Sequence, residues 1–210
     1  MTAPDGTEAR ARWARRAFRL VILTAAYNAA EAVVALWAGA AAASVALVGF
    51  GFDSGIELAA SLAVLTRMRA ETLGAGTEAV ARVEGRVRRF VGWTFVALAG
   101  YVVLQAGFGL WYREAPAESR LGIGLAIVSL IVMPLFAWGK LRAAAALDSR
   151  ALAAEAKETL ACAYLSACLL AGLGLNAALG WWWADPVAAL AMVPWLLHEG
   201  HEALEDDPCP

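Results

Sequence analysis

Histidine and cysteine are scarce in this 210-residue chain, with two of the first and three of the second. The cysteines exclude a disulfide framework: Cys162 and Cys168 fall on one helix at a spacing that points them apart, and Cys209 is in the tail. A histidine-rich loop between the fourth and fifth apolar runs is absent too. Alternation of period two is rare, which excludes an outer-membrane barrel and leaves no strands to expect. No Lys or Arg falls in the apolar part of any predicted span. Nor is there a helical histidine pair or a nucleophile-base set, so an intramembrane enzyme is the third-ranked reading behind the two given below.

What the chain does have is apolar length. Hydrophobic residues make up 61% of it and the mean hydropathy is +0.60, and several runs reach the roughly 20 residues a helix needs to cross a bilayer. The expected fold is therefore an all-α membrane protein of six transmembrane helices, near residues 18-39, 44-66, 88-112, 120-141, 153-179 and 184-203. A basic N-terminal segment, 1-17, precedes one membrane domain, 18-204, and a short tail, 205-210, follows it. Residues 1 to about 12 read as disordered, and 67-87 as the longest loop, broken at Gly74 and Gly76 with Glu78 to Arg89 leading helically into the third span. Trp181, Trp182 and Trp183 mark an interface, and Pro134 and Pro194 should kink their helices.

The basic residues give the orientation. Of 17 Lys and Arg, only Arg113 and Arg120 fall on one side. The others flank the opposite ends of the spans: Arg10 to Arg19, Arg67 to Arg89, and Lys140, Arg142, Arg150 and Lys157. By the positive-inside rule both termini are cytoplasmic, and the arginine-rich loop is topological, not a nucleic-acid surface. A signal peptide is the competing reading of the start, with small residues at Ala40 to Ala46, but Asn28 and Glu31 interrupt its core.

Function is carried by polar stripes inside the spans. Asp53, Glu57 and Ser61 recur every four residues in the second span, and Glu158, Cys162 and Ser166 repeat that rhythm in the fifth. Residues i and i+4 share a helix face, so the two stripes can close on one ion. Carboxylates at membrane depth cost about 2.5 to 3.5 kcal/mol each on insertion scales. Without internal cations, a metal ion or protons are the missing counter-charge. Asp53, Glu57, Glu158 and Cys162 form a four-ligand set suited to a tetrahedral ion, Zn²⁺ first, with Cd²⁺, Co²⁺, Mn²⁺ and Fe²⁺ as alternatives and the thiol deciding softness. Depth poses a difficulty: Asp53 lies roughly 13 Å and Cys162 roughly 27 Å from the outer ends of their helices at 1.5 Å per residue. Either the fifth span projects outward or its cytoplasmic half holds the site.

The arrangement resembles the cation diffusion facilitator (cation efflux) family. The residues that carry the resemblance are Ser44-Val45-Ala46-Leu47-Val48 leading to Asp53 and Glu57, then Ser149 to Leu152, Glu155-Ala156, Asn176 and the run from Gly180 to Asp185-Pro186, spanning about residues 18 to 204. Three positions depart from the family pattern: Glu57 replaces an aspartate, Glu158 a His or Asp, and Cys162 an Asp. Typical members continue into a cytoplasmic dimer-forming domain where these residues end. The resemblance implies alternating access with proton antiport, and a homodimer by analogy.

The remaining polar residues have plainer readings. Ser61 and Ser166 are expected to bond back to helix carbonyls, with contact to an ion or its water as the alternative and Ser61 a candidate for the ion or proton path. Asn28 and Glu31 pack against the second span or join the ion or proton path, and Glu155 charges the start of the fifth helix or belongs to the same path. His198, His201, Glu199 and Glu202 form a solvated helix end, with a peripheral metal-loading site as the minority reading. The sum is a multi-pass protein of a bacterial inner membrane, its partners lipid, metal ion and protons, with no nucleic acid and no prosthetic group. The expected function is export of divalent cations; the alternative is a non-transporting metal sensor or assembly module of the same fold.

Overall fold

The computed structural model describes residues 6–72, 77–113 and 116–205, with side chains given except at 6, 7, 70–72, 77–84, 86–88 and 150. Six helices follow one another: α1 (Gly6–Ala42), α2 (Val45–Thr72), α3 (Thr77–Tyr112), α4 (Arg120–Leu147), α5 (Arg150–Leu179) and α6 (Ala184–Glu205). Among the described residues there is no strand. The first five are long and apolar enough to cross a membrane. The sixth is shorter and carries charge at its C-terminal end, and it packs on α3 and α5 as the last member of the bundle.

Helical structure extends beyond the apolar runs at the basic end. The chain is helical from Gly6, so the expectation of disorder to residue 12 fails from that point on. Likewise α2 runs to Thr72 and α3 begins at Thr77, so most of the supposed 67-87 loop is helix. Charged residues interrupt hydropathy without interrupting helix propensity, since Arg, Glu and Ala are all good helix formers. Gly74, Gly76 and Cys209 lie outside the described residues. Pro134 and Pro194 both sit inside helices that continue past them.

Large apolar side chains face outward along the helices: Trp37, Phe90, Trp93, Trp111, Leu135 and Trp138 are all exposed. The polar ones turn in, and Asn28, Glu31, Asp53, Glu57, Ser61, Lys140, Glu155 and Thr159 are buried. That inversion is what lipid as solvent demands.

Helix ends are capped by side chains at the far end of the bundle. Ser44 Oγ accepts from Leu47 N at 3.1 Å and donates to Asp185 Oδ1 at 2.5 Å, while Asp185 Oδ2 accepts from Val45 N at 2.9 Å and Ala46 N at 3.4 Å. The first residues of α6 thus cap the start of α2, where amide donors and the helix dipole favour a carboxylate. Ser119 caps α4 with its hydroxyl at this same end, and Ser149 caps α5 at the basic end. Gly180 ends α5 at φ 64, a left-handed conformation that glycine adopts without strain, and Asn176 Nδ2 ties that end to Pro116 O at 3.0 Å.

Candidate functional site

The α2 and α5 stripes face each other in antiparallel register. Ser61 Oγ donates to Glu155 Oε1 at 2.7 Å, and one turn further on Thr159 Oγ1 donates to Glu57 Oε1 at 2.7 Å. This register resolves the depth difficulty: the N-terminal half of α5 stands beside the middle of α2. Asp53, Glu57 and Glu158 meet at a small cavity with Glu199 of α6, closed by Ile56, Ala60, Val91, Phe95, Ala161 and Trp195. Its volume is about 10 Å³, the lower limit for one water-sized particle. Asp53 and Glu57 are buried, whereas Glu158 and Glu199 are partly exposed, so the cavity is shielded on the α2 side.

Cys162 is not part of that lining. It is fully buried, and its Sγ lies 3.7 Å from Glu31 Oε2, toward α1. Glu31 anchors a second polar group: it accepts from Ser54 Oγ at 2.9 Å and from Ser129 Oγ, and Ser129 in turn bonds Tyr27 Oη at 2.7 Å. The structure therefore brings together three of the four predicted ligands and sets the fourth beside Glu31. Among the described residues, the one group of three ligand types with atoms all within 4.8 Å of one another is His198, Glu199 and Glu202. Cys162 and Cys168 are both free thiols, and Ser166 bonds back to Cys162 O at 2.7 Å as expected.

The expectation that no cation sits among the apolar helices fails at Lys140. Its side chain is 0% exposed, with Nζ 3.0 Å from Glu155 Oε1 and 2.9 Å from Thr159 Oγ1. Near the end of an apolar run, a lysine reads as a flanking charge. The cue was its spacing from Met133 and Ala137, which places it on the buried face of α4. Glu155 accordingly belongs to an ion pair and does not merely charge the start of α5. Ser61 was also misread, since it bonds across to Glu155 and not to its own helix. Thr159 and Ser54 were missed: single hydroxyls within apolar runs carry no distinctive sequence signal.

Among the described residues, several polar atoms in this region have no hydrogen-bond partner: Glu57 Oε2, Glu155 Oε2, and both the Nδ2 and Oδ1 of Asn28. Buried groups of this kind normally find partners, and exceptions cluster where function needs them. A buried carboxylate that lines a cavity with three others suits a cation of small radius, which oxygen donors coordinate directly.

Position of α6 follows from close backbone approach. A Cβ placed on Gly92 of α3 would lie 3.1 Å from Gly200 O, and one on Gly200 would lie 3.2 Å from Gly92 O. The two glycines let α3 and α6 meet backbone to backbone, one residue from Glu199. On the α5 side, Gly172 accepts Ala188, whose Cβ would be 2.6 Å from a Cβ there.

No curated protein matches this chain. The family described as the cation efflux transmembrane domain matches residues 21–205, nearly the whole helical bundle and both facing stripes. A six-helix bundle with inward carboxylates on its second and fifth helices, matched over that length, belongs to the cation efflux family of divalent metal cation transporters, which are not enzymes.

Proposed function

We propose that this protein exports a transition-metal cation in exchange for protons, by alternating access to the cavity between α2, α5 and α6. The observation that carries the reading is the meeting of Asp53, Glu57 and Glu158 at one cavity, with Glu57 Oε2 unpartnered among the described residues. Three carboxylates without a neutralising cation at the cavity repel one another. A divalent ion or protons relieve that repulsion alternately, which is the linkage an antiporter needs.

Ligand chemistry bears on the ion. In the conformation seen here the cavity presents only carboxylate oxygens, which suit Mn²⁺ and Fe²⁺ as well as Zn²⁺. Rotation of Cys162 from Glu31 toward the cavity adds a soft donor and favours Zn²⁺, Cd²⁺ or Co²⁺. Zn²⁺ fits both states and is the ion we assign. The basic ends of the helices support a cytoplasmic location for both termini in a bacterial inner membrane, so the partly exposed Glu158 and Glu199 face the side from which an exporter loads.

Proteoliposomes under an imposed pH gradient test this directly, with Zn²⁺, Cd²⁺, Co²⁺, Mn²⁺ and Fe²⁺ offered in turn to wild type and to Asp53→Ala. Proton-dependent flux lost in the variant is the expected result. Absence of flux for every metal, from protein that is folded and monodisperse, would put the sensor or assembly role ahead.

A further inference from the structure

Glu199 belongs to two groups of ligands at once. On one side it lines the cavity with Asp53, Glu57 and Glu158. On the other it shares with His198 and Glu202 a set of ligand atoms all within 4.8 Å. His198 and Glu202 stand at i and i+4, their Nε2 and Oε2 3.7 Å apart, and both are exposed. Each residue turns the helix by about 100°, so Glu199 projects from the flank between that exposed stripe and the bundle interior. Trp195, one turn back, lines the same cavity and holds His198 edge to face at 6.0 Å between ring centres.

An acidic helix end alone would carry no ligand. The independent sign is inside: Glu57 is 5% exposed, lines the cavity with Glu199, and has an oxygen, Oε2, without a hydrogen-bond partner among the described residues. The contact of Gly92 with Gly200 fixes α6 at backbone distance from α3, which holds Glu199 at the cavity's edge. A carboxylate with two oxygens and rotatable χ angles can join either group, whereas His198 and Glu202 stay on the exposed stripe.

We infer that Glu199 is the transfer ligand of this transporter: it takes a divalent cation from a loading cluster with His198 and Glu202 at the end of α6 and delivers it to the Asp53, Glu57 and Glu158 cavity. This rests on the transport reading above, and it adds α6 to a site otherwise built from α2 and α5. The loading cluster supplies one nitrogen and two carboxylates, a set that Zn²⁺ accepts. Glu199 is shared, so the two positions cannot both have it as a ligand, and the ion moves in two steps.

The test compares Zn²⁺ flux into proteoliposomes with equilibrium Zn²⁺ binding to the purified full chain, for wild type, Asp53→Ala, Glu199→Gln, Glu199→Asp and the double variant His198→Gln/Glu202→Gln. A transfer ligand predicts that Glu199→Gln keeps the buried ion with affinity within about threefold of wild type yet loses tenfold or more in flux. Glu199→Asp recovers part of that flux. The double variant raises the half-saturating Zn²⁺ concentration about fivefold. Glu199→Gln flux within twofold of wild type would overturn the inference while leaving the transport reading intact, because Asp53→Ala would still be inactive. Loss of the buried ion in Glu199→Gln as complete as in Asp53→Ala would also overturn it, making Glu199 a fixed ligand. Failure of wild type to bind or move Zn²⁺ would remove both readings together.

Discussion

Lys140 and Glu155 form an ion pair sealed from solvent, with Nζ 3.0 Å from Oε1 and side chains 0% and 1% exposed. The pair is wired to the cavity: Thr159 Oγ1 accepts from Lys140 and donates toward Glu57 Oε1, and Ser61 adds a second donor to Glu155. One of the buried carboxylates therefore has a permanent counter-ion, while Asp53, Glu57 and Glu158 share the open cavity. The division separates an ion-paired carboxylate from those that line the cavity.

Removing one partner of a buried pair leaves an uncompensated charge and costs about 3 to 5 kcal/mol, whereas replacing both with apolar groups is often near neutral. Lys140→Met is accordingly expected to lower the unfolding temperature in detergent sharply, and Lys140→Met/Glu155→Leu to recover most of the loss. Thermal unfolding of the two variants and of Glu155→Leu completes the double-mutant cycle. A double variant as unstable as the single one would mean that the pair does more than neutralise itself.

At the opposite end, Asp185 receives the first amides of α2 and the Ser44 hydroxyl. Asp185→Ala strands those buried donors, each worth about 1 to 3 kcal/mol when unsatisfied, and Ser44→Ala removes one cap at about 1 kcal/mol. Expression level and unfolding temperature should fall in that order. Metal binding by the surviving folded Ser44→Ala should be unchanged, because the cap is remote from the cavity.

The hydropathy pattern and basic residues made the six helices legible, because lipid as solvent forces apolar runs of bilayer length. The stripes on α2 and α5 were legible for the same reason: an acidic residue in such a run stands out, and three of the four predicted ligands do share a cavity. Lys140 was not legible, since a lysine near a span end either snorkels or turns inward, and only packing decides. Cys162 shows the limit of spacing arguments. It shares the helical rhythm of Glu158, but its small side chain reaches Glu31 on α1. Glu199 was hidden by the opposite error, because a charged helix end normally means solvent.

Close approach of α3 and α6 gives a prediction that touches no ligand. A Cβ on Gly92 would meet Leu204 Cγ at 2.8 Å and Gly200 O at 3.1 Å. The side chain can give way, but the backbone oxygen cannot without moving α6. Gly92→Val is expected to cost about 1 to 3 kcal/mol through overpacking and to draw Glu199 away from the cavity. Flux should drop while Zn²⁺ binding at Asp53 and Glu57 persists. Unchanged flux in a folded Gly92→Val protein would show that α6 position does not matter to transport.

We propose that metal selectivity depends on the thiol of Cys162, which contacts Glu31 and lies one helical turn from Glu158. Serine keeps a hydroxyl donor for Glu31 in nearly the same volume, so Cys162→Ser should fold and leave the α1 contact in place. What it removes is the soft donor. If the thiol swings into the cavity during transport, the variant loses Cd²⁺ and Zn²⁺ flux preferentially and keeps Mn²⁺, a reordering of about tenfold for each 1.4 kcal/mol of lost metal-sulfur preference. Competition assays in proteoliposomes, with pairs of metals at equal concentration, read that ratio independently of protein yield. An unchanged order would confine Cys162 to the polar group around Glu31 and leave the transported ion to carboxylates alone.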